Sequence, residues 1–350
     1  MTNLKRSRLI CALFVGTILS GASAFAASPN YAIENTFKLG GPGRWDYATL
    51  ADGGKTLYIS RTTHVMVIDT ATGKLLGDVE GQQGNHGVAV VPAVNRGFIS
   101  DGKDGSVVIF DLKTYQVLGK VKAAEDADGI IYDAFSNKVL VVCGDAASLI
   151  AISPDVDPKN GKADATIDLG GKPEFFASDG EGKIYVNLND KNEVAVLDAK
   201  SLKIISRWPT GTGTGATGMA IDSSKKHLLV GCRNQKLVIM SIKDGSVEAE
   251  LSIGKGVDAT GSAKDLGFAS CGDGTLAIAQ QNADGKWEIA QTVKTLVGAR
   301  TMAVDAESGK VYLPASDMTA PATAPSGGKA ARPAPVPGSF KIVVLAPKPQ

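Results

Sequence analysis

Seven polar positions recur along the chain at intervals of about 40 residues, and six of them carry ionisable side chains. Each comes directly before a short segment of small and apolar residues, as at 87–90, 218–221 and 301–304. Carboxylates, an imidazole and a guanidinium are groups with which proteins bind cations and polar ligands or transfer protons, provided that the fold brings them together. The seven residues are Asp46, His86, Asp128, Glu174, Thr217, Asp258 and Arg300.

These positions belong to a longer repeat, which determines where the side chains go. Each copy contains an apolar strand with a large residue near its centre, then a second apolar strand, a polar turn and a third strand. Seven copies of about 40 residues, each with four short strands, predict an all-β, seven-bladed β-propeller with four-stranded blades. An open solenoid is the alternative, but it would need capped ends that the sequence does not show. The large residues are Tyr58, Phe98, Leu140, Tyr185, Leu229, Phe268 and Tyr312.

The two ends of the repeat array indicate how the ring closes. The last copy ends near 343–345 without an outer strand, whereas residues 31–40 form a strand that belongs to no complete copy. We therefore predict that the N-terminal strand completes the last blade. Residues 27–346 form a single propeller domain, with a Pro- and Ala-rich loop at 317–338 inserted in blade seven and a tail at 347–350. This loop is a lid over the channel mouth, a contact for a partner, or an inert connection.

The first 26 residues have the pattern of an export signal. Lys5, Arg6 and Arg8 precede an apolar run at 9–19, and small residues lead to a cleavage site near Ala26. We predict a periplasmic or secreted protein with no membrane span after cleavage. The remaining chain has 34 Lys and Arg against 36 Asp and Glu, a slight acidity that argues against nucleic-acid binding.

Composition narrows the class of protein further. A disordered chain is excluded by 43% hydrophobic residues and a net charge of +1, and the 41 glycines lack the Gly-X-Y period of collagen. Three cysteines remain after the signal, Cys143, Cys232 and Cys271, and none lies in a CxxC spacing. Because they fall within apolar strands we expect buried free thiols, with one disulfide as the alternative.

Blade one carries a recognisable repeat motif. Residues 56–60 (TLYIS) and 65–74 (VMVIDTATGK) resemble the YVTN repeat, a Tyr-Val-Thr-Asn strand followed by a Val-Ile-Asp strand and a Thr-x-Lys turn. The mature chain resembles the YncE-like, YVTN-repeat seven-bladed propellers of bacteria, a WD40-like fold, across all seven blades. Blades three, five and six have Ser153, Ser241 and Gln280 where the repeat has Asp. The resemblance implies the fold and export, and says little about function because one fold serves many functions.

Propeller geometry predicts where the recurring polar residues meet. Innermost strands begin on one face beside the central channel, so the candidate ligand site is a ring at the channel mouth. Like charges at this spacing favour a bound cation or polar ligand, and Asp128, Glu174 and Asp258 are the candidate ligands of a divalent metal ion. A merely solvated channel lining is the alternative. The ring comprises Asp46, His86, Asp128, Glu174, Asp258 and Arg300. The secondary candidates on this face are Trp45, for stacking or as a packed core residue, and Arg61 and Arg233, for an anion or as solvated surface residues.

These observations favour a periplasmic binding or interaction protein, expected to be a monomer, that presents the channel mouth to a small polar ligand, a cation or another periplasmic protein. The alternative is a metal-dependent, lactonase-like hydrolase that uses the mouth carboxylates. A propeller that assists a quinone or amine dehydrogenase is a third hypothesis, from the fold alone. A single histidine at the mouth, without a Ser-His-Asp arrangement, gives little support for catalysis, and no cofactor is predicted beyond the divalent cation.

Overall fold

A computed structural model describes residues 29–319 and 333–348. The predicted export signal at 1–26 and residues 320–332 of the predicted insertion lie outside the described residues. Within them the chain is all-β, and its helical content is one 3-10 turn, Pro92–Val94. No helix in the described ranges is long and apolar enough to cross a membrane.

Short strands follow one another along the whole described chain. The first thirteen are β1 (Tyr31–Lys38), β2 (Ala48–Ala51), β3 (Thr56–Ser60), β4 (Thr62–Asp69), β5 (Leu75–Val91), β6 (Arg96–Asp101), β7 (Ser106–Asp111), β8 (Val117–Lys122), β9 (Ala127–Asp133), β10 (Lys138–Cys143), β11 (Ser148–Ile152), β12 (Ala165–Asp168) and β13 (Pro173–Ser178). The remainder are β14 (Lys183–Leu188), β15 (Glu193–Asp198), β16 (Ile204–Pro209), β17 (Ala216–Ile221), β18 (His227–Cys232), β19 (Lys236–Ser241), β20 (Val247–Ser252), β21 (Val257–Ala263), β22 (Leu266–Cys271), β23 (Thr275–Gln281), β24 (Trp287–Lys294), β25 (Ala303–Val304), β26 (Val311–Ala315) and β27 (Lys341–Pro347).

The strands form five four-stranded antiparallel sheets and one seven-stranded sheet, β2 to β8. The larger sheet arises because β5 runs without a break for 17 residues. Its first part pairs with β4, from Leu75 to Glu80, and its last part pairs with β6, from Val88 to Val91. The seven-stranded sheet therefore consists of two four-stranded units that share β5.

The burial of the strands follows their position in each sheet. Middle strands such as β10 and β11 are apolar runs that are buried almost throughout, because both faces are covered by neighbouring sheets. Outer strands such as β16 alternate between exposed and partly buried residues. The large residue that anchors each repeat is buried in every copy, from Tyr58 to Tyr312, so these anchors are core positions as predicted.

The hydrophobic core lies between the sheets. One cluster, for example, joins Tyr185 and Val196 of the β13–β16 sheet to Met219, Val230 and Met240 of the next sheet. The strands at the inner end of each unit contact one another in sequence, and the last contacts the first. This is a propeller-like arrangement of sheets. The inner strands are β2, the last part of β5, β9, β13, β17, β21 and β25.

The N-terminal strand joins the C-terminal sheet, whose order is β1-β27-β26-β25. The pairing is antiparallel and runs from Tyr31 opposite Pro347 to Lys38 opposite Lys341. The predicted tail at 347–350 thus begins inside β27, and residues 349 and 350 lie outside the described residues.

The insertion has hydrogen-bonded ends. Met318 and Pro335 form an antiparallel bridge, the Thr319 amide donates to Ala334 at 2.8 Å, and the Val336 amide donates to Asp317 at 2.7 Å. The flanking residues of the predicted loop are therefore paired with one another. Proline has no N–H, but the residues between the prolines keep theirs, and these amides are sufficient for a two-stranded ribbon.

The three cysteines are free and buried, as predicted. Burial raises the pKa of Cys143 and Cys271 to about 11 and that of Cys232 to about 12. Thiols in this state are unreactive core side chains.

Candidate functional site

The predicted ring residues lie together at one end of the inner strands. They border a solvent-open cavity of about 500 Å³, a volume within the range of small-molecule sites. All six predicted ring residues line it, together with the secondary candidate Arg233. The lining residues are Asp46, Tyr47, His86, Asp128, Glu174, Arg233, Gly256, Val257, Asp258 and Arg300. We call this cavity the mouth cavity.

Hydrogen bonds to backbone carbonyls connect neighbouring inner segments and hold the ring residues in place. The Tyr47 amide donates to the His86 carbonyl at 3.1 Å, and the Thr301 hydroxyl donates to the Asp46 carbonyl at 2.9 Å. The Ala259 amide donates to the Arg300 carbonyl at 3.1 Å. Each bond joins the carbonyl of one ring residue to the residue that follows a neighbouring ring position, which fixes the spacing of the ring residues.

Polar side chains on the second strand of three units add a further link. The Ser100 hydroxyl donates to the Asp128 carbonyl at 2.5 Å, and the Ser270 hydroxyl donates to the Arg300 carbonyl at 2.5 Å. The Asn187 amide donates to the Thr217 carbonyl at 3.2 Å. Each side chain crosses to the ring position of the following sheet, so the mouth is tied to the most buried strands of the fold.

Asp46, His86 and Asp128 form one side of the mouth. His86 Nδ1 lies 2.7 Å from Asp46 Oδ2 and 3.5 Å from Asp128 Oδ1. Burial alone would lower the pKa of His86, but the hydrogen bond with Asp46 and the charges of Asp128 and Asp46 outweigh it and raise the pKa to about 9. The imidazole is therefore protonated at neutral pH.

Asp128 has the least compensated charge in the ring. Its Oδ1 is buried and has no hydrogen-bond partner among the described residues. Burial raises its pKa well above the ordinary value, the His86 charge opposes that rise, and Asp46 and Glu174 add to it. Asp128 Oδ1 can therefore accept a hydrogen bond from a ligand that enters the cavity.

The other carboxylates are paired with arginines. Arg300 Nε donates to Asp258 at 2.5 Å and its NH2 group lies 3.9 Å from Asp46, while Arg233 donates to Glu174 at 3.1 Å. Burial still raises the pKa of Glu174 and Asp258, against the effect of these partners. Desolvation thus outweighs the arginine charges at both carboxylates.

An aromatic pair lies beneath the charged ring. The rings of Tyr47 and Phe175, from β2's leading loop and β13, have centroids 4.8 Å apart. Tyr47 lines both the mouth cavity and a smaller cavity of about 60 Å³ further along the channel. Burial and the surrounding carboxylates, Asp128 first among them, raise the pKa of its phenol well above 10.

The structure places Trp45 in the core, in line with the alternative of a packed tryptophan, and it places Arg61 away from the rim. Trp45 is buried and packs on Phe340, with ring centroids 5.9 Å apart, so its face is unavailable to a ligand. Arg61 is fully buried, not on the rim. Its guanidinium donates to the carbonyls of residues 40–44 and lies 3.6 Å over the Phe340 ring, and burial lowers its pKa to about 10.

The loop that surrounds Arg61 explains this burial. At Gly43, with φ of +91°, a Cβ would lie 2.5 Å from the Arg61 carbonyl oxygen, so glycine is required there. The glycine-rich turn folds closely around the arginine and presents a row of carbonyls that replace water.

The predicted set of metal ligands also differs from the one that the structure brings together. Among the described residues, the group whose potential ligand atoms all lie within 4.8 Å of one another is Asp46, His86 and Asp128. Glu174 and Asp258 do not belong to it, because their arginine partners hold them elsewhere on the rim.

Tyr47 and Phe175 are the site residues that sequence reasoning missed. A signal was present at the position after each ring residue, which is glycine in three copies and aromatic in two. Where most copies have a small residue at this position, the aromatic side chains of the other two copies must occupy the free space beside those small residues. Thr217, by contrast, is buried and does not line the mouth cavity, and its hydroxyl donates to the Val257 carbonyl at 2.9 Å.

The fold and the site together define an all-β propeller with a polar cavity at the channel mouth. The family model described as outer membrane protein assembly factor BamB matches residues 103–313. The chain belongs to this family.

Two further comparisons bear on the fold. The hydrazine synthase of Kuenenia stuttgartiensis is similar in structure, with a TM-score of 0.67 and 15% sequence identity over 78% of this chain and 92% of that chain. At this identity the likeness shows the fold alone. No curated protein matches the sequence.

Proposed function

We propose that the chain is an exported β-propeller binding protein whose mouth cavity binds a small polar ligand or a polar side chain of a partner. The observation that carries the proposal is the mouth cavity itself. Seven charged or ionisable side chains from the predicted set line one open cavity, and backbone bonds between sheets hold them there. Membership in a family described as an assembly factor supports an interaction role over catalysis.

The proposal includes the finer features of the fold. We take the scaffold to be a seven-bladed ring, in which β5 serves two blades and β1 completes the last, and we place it among YVTN-repeat propellers. The pairing of β1 with β27 and the contact between β2 and β25 support a closed ring. Residues 27–346 then form the exported domain, after cleavage near Ala26, and act as a monomer.

The test compares two double variants by thermal shift against a panel of metabolites and divalent metal ions. Asp128→Asn with Glu174→Gln changes the mouth cavity, whereas Asp155→Asn with Glu307→Gln makes the same chemical change at exposed positions. We expect at least one compound to stabilise wild type and the exposed-site variant but not the mouth variant. Identical shifts for all three proteins across the panel would refute a binding site at the mouth.

A metal-dependent, lactonase-like hydrolase is the second candidate, and the grouping of Asp46, His86 and Asp128 favours it. A metal ion there would have to displace the proton that His86 holds up to about pH 9. Stoichiometric divalent metal in the purified protein, together with lactone hydrolysis that Asp128→Asn abolishes, would establish the enzyme. For a binding protein we expect neither.

A further inference from the structure

We infer that the ligand of the mouth cavity carries a protonated amine, which binds at Asp128 and Asp46 and extends its carbon skeleton towards Tyr47. This inference rests on the proposed function and adds the chemical class of the ligand. It follows from three observations: the unpaired oxygen of Asp128, the volume of the mouth cavity and the aromatic pair of Tyr47 and Phe175.

One oxygen of Asp128 lacks a hydrogen-bond donor within the described part of the chain, although several cations line the mouth cavity. Its cations are already engaged with carboxylates, Arg300 with Asp258 and Arg233 with Glu174. These guanidiniums are 42% and 57% exposed, so their remaining N–H groups are accessible to solvent. Asp128 is only 16% exposed, and its Oδ1 lies 3.5 Å from the nearest charged nitrogen, His86 Nδ1, without a hydrogen bond.

A buried carboxylate without a donor costs free energy that a charge-assisted hydrogen bond recovers. Asp46 lies on the other side of His86 and contributes a second acceptor at the same end of the cavity. An ammonium group has three donors and a positive charge, which matches two carboxylates that share one imidazolium.

The titration behaviour of the cavity agrees with this geometry. Burial raises the pKa of carboxyls and lowers that of bases. Here the pKa of Asp128 is raised, and the pKa values of His86 and Arg300 are raised as well, despite their burial. Burial is the largest cause of the rise for Asp128, and neighbouring carboxylates contribute to all three shifts, so negative charges surround the place that the cationic ligand would occupy.

The volume of the cavity and its aromatic floor favour an organic cation over a metal ion. A volume of about 500 Å³ suits a ligand with a carbon skeleton. Tyr47, packed on Phe175, provides an aromatic surface beside the carboxylates, and aromatic rings attract ammonium groups as well as apolar carbon.

Calorimetry on the mature chain at pH 7.5 tests the inference with matched probes. The panel holds primary amines from methylamine to phenethylamine and spermidine, the alcohol and carboxylate analogues of each skeleton, and magnesium, calcium and zinc chlorides alone. We expect at least one amine to bind while its alcohol and carboxylate analogues do not. Asp128→Asn should weaken that binding at least about 10-fold, the change expected for one hydrogen bond to a charged group, and Asp155→Asn should leave it unchanged.

The outcomes separate this inference from the proposed function. Binding of alcohol or carboxylate probes with equal affinity, lost in Asp128→Asn, would overturn the amine and retain the binding site. If a metal ion bound, no amine bound and Asp128→Asn abolished the metal binding, the amine would again be overturned and the binding site retained. If amine binding persisted in Asp128→Asn, the proposed contact would be wrong. Failure of every probe, here and in the wider metabolite panel, would overturn both proposals.

Discussion

His86 is the residue whose charge state controls one side of the mouth. It lies between two carboxylates, 2.7 Å from Asp46 and 3.5 Å from Asp128. The protonated imidazole forms a hydrogen bond with Asp46 and an ion pair with Asp128, whereas the neutral imidazole would leave both carboxylates without a nearby positive charge from this residue. The site therefore keeps its proton well above the pH at which an exposed histidine loses it.

We expect His86 to titrate at about pH 9 in an NMR experiment on the ring protons. His64 is the internal control, because burial lowers its pKa below the ordinary 6.5. A folded-state pKa above the unfolded one means that the stabilising contribution is complete below about pH 6.5 and is lost as the pH rises through about 9. The unfolding free energy of wild type relative to His86→Gln should fall across that window, and a His86 that titrates with His64 would contradict the assignment.

Bonds between sheets connect the ring to the middle strands. Ser100, on β6, accepts from the Gly87 amide at 2.9 Å and donates to the Asp128 carbonyl, so one hydroxyl joins two neighbouring sheets. Ser60, on β3, has the corresponding place one unit earlier, yet its hydroxyl has no hydrogen-bond partner among the described residues. The chain thus contains a natural pair for comparison.

Ser100→Ala should destabilise the protein by about 2 kcal/mol, because it leaves a buried amide and a buried carbonyl unpaired. It should also weaken ligand binding at the mouth, since Asp128 loses its backbone anchor. Ser60→Ala removes a hydroxyl of equal size and depth and should change the unfolding free energy by about 0.5 kcal/mol or less. Urea unfolding of both variants measures the difference. Equal losses of unfolding free energy in the two variants would show that the hydrogen bonds of Ser100 do not position the residues of the mouth.

The repeat pattern predicted the strands and the ring because both depend on periodicity. Buried anchors such as Phe98 and Leu140 recur in step with the strands, and ring residues such as His86 and Asp128 recur with them. The break-free length of β5 was not predictable, because a connection between blades and an extended strand have similar composition.

The positions of two arginines, Arg61 and Arg233, show that the repeat pattern does not predict the direction of every side chain. Arg61 and Arg233 each follow a second strand directly, and both were predicted on the rim. Arg233 lies there, beside Glu174, whereas Arg61 turns inward to the carbonyls of a glycine-rich loop. The difference depends on the local loop and not on the repeat. The contact of Tyr47 with Phe175 likewise joins residues more than 120 positions apart, which no local pattern encodes.

At the scale of the molecule, the proposed closure of the ring depends on one strand. The β1 strand is held by its ladder with β27 and by Tyr31, which contacts the neighbouring sheet as well. The Tyr31 amide and carbonyl both bond to the Gln291 side chain at 2.8 Å, and its ring meets Phe268 edge to face at 5.3 Å. Its hydroxyl donates to the Gly309 carbonyl at 2.9 Å. Tyr31 thereby links the first strand to the last two sheets.

Tyr31→Ala should therefore loosen the closure as a whole. Loss of a buried aromatic ring and its hydroxyl bond should cost about 3 kcal/mol, and amide hydrogen exchange should accelerate in β27 and β26 more than in the β13–β16 sheet. Ile33→Ala is the control, because Ile33 lies on the same strand with 47% of its surface exposed. If exchange in β27 stayed at the wild-type rate while global stability fell, β1 would be a covering strand and not the closure of the ring.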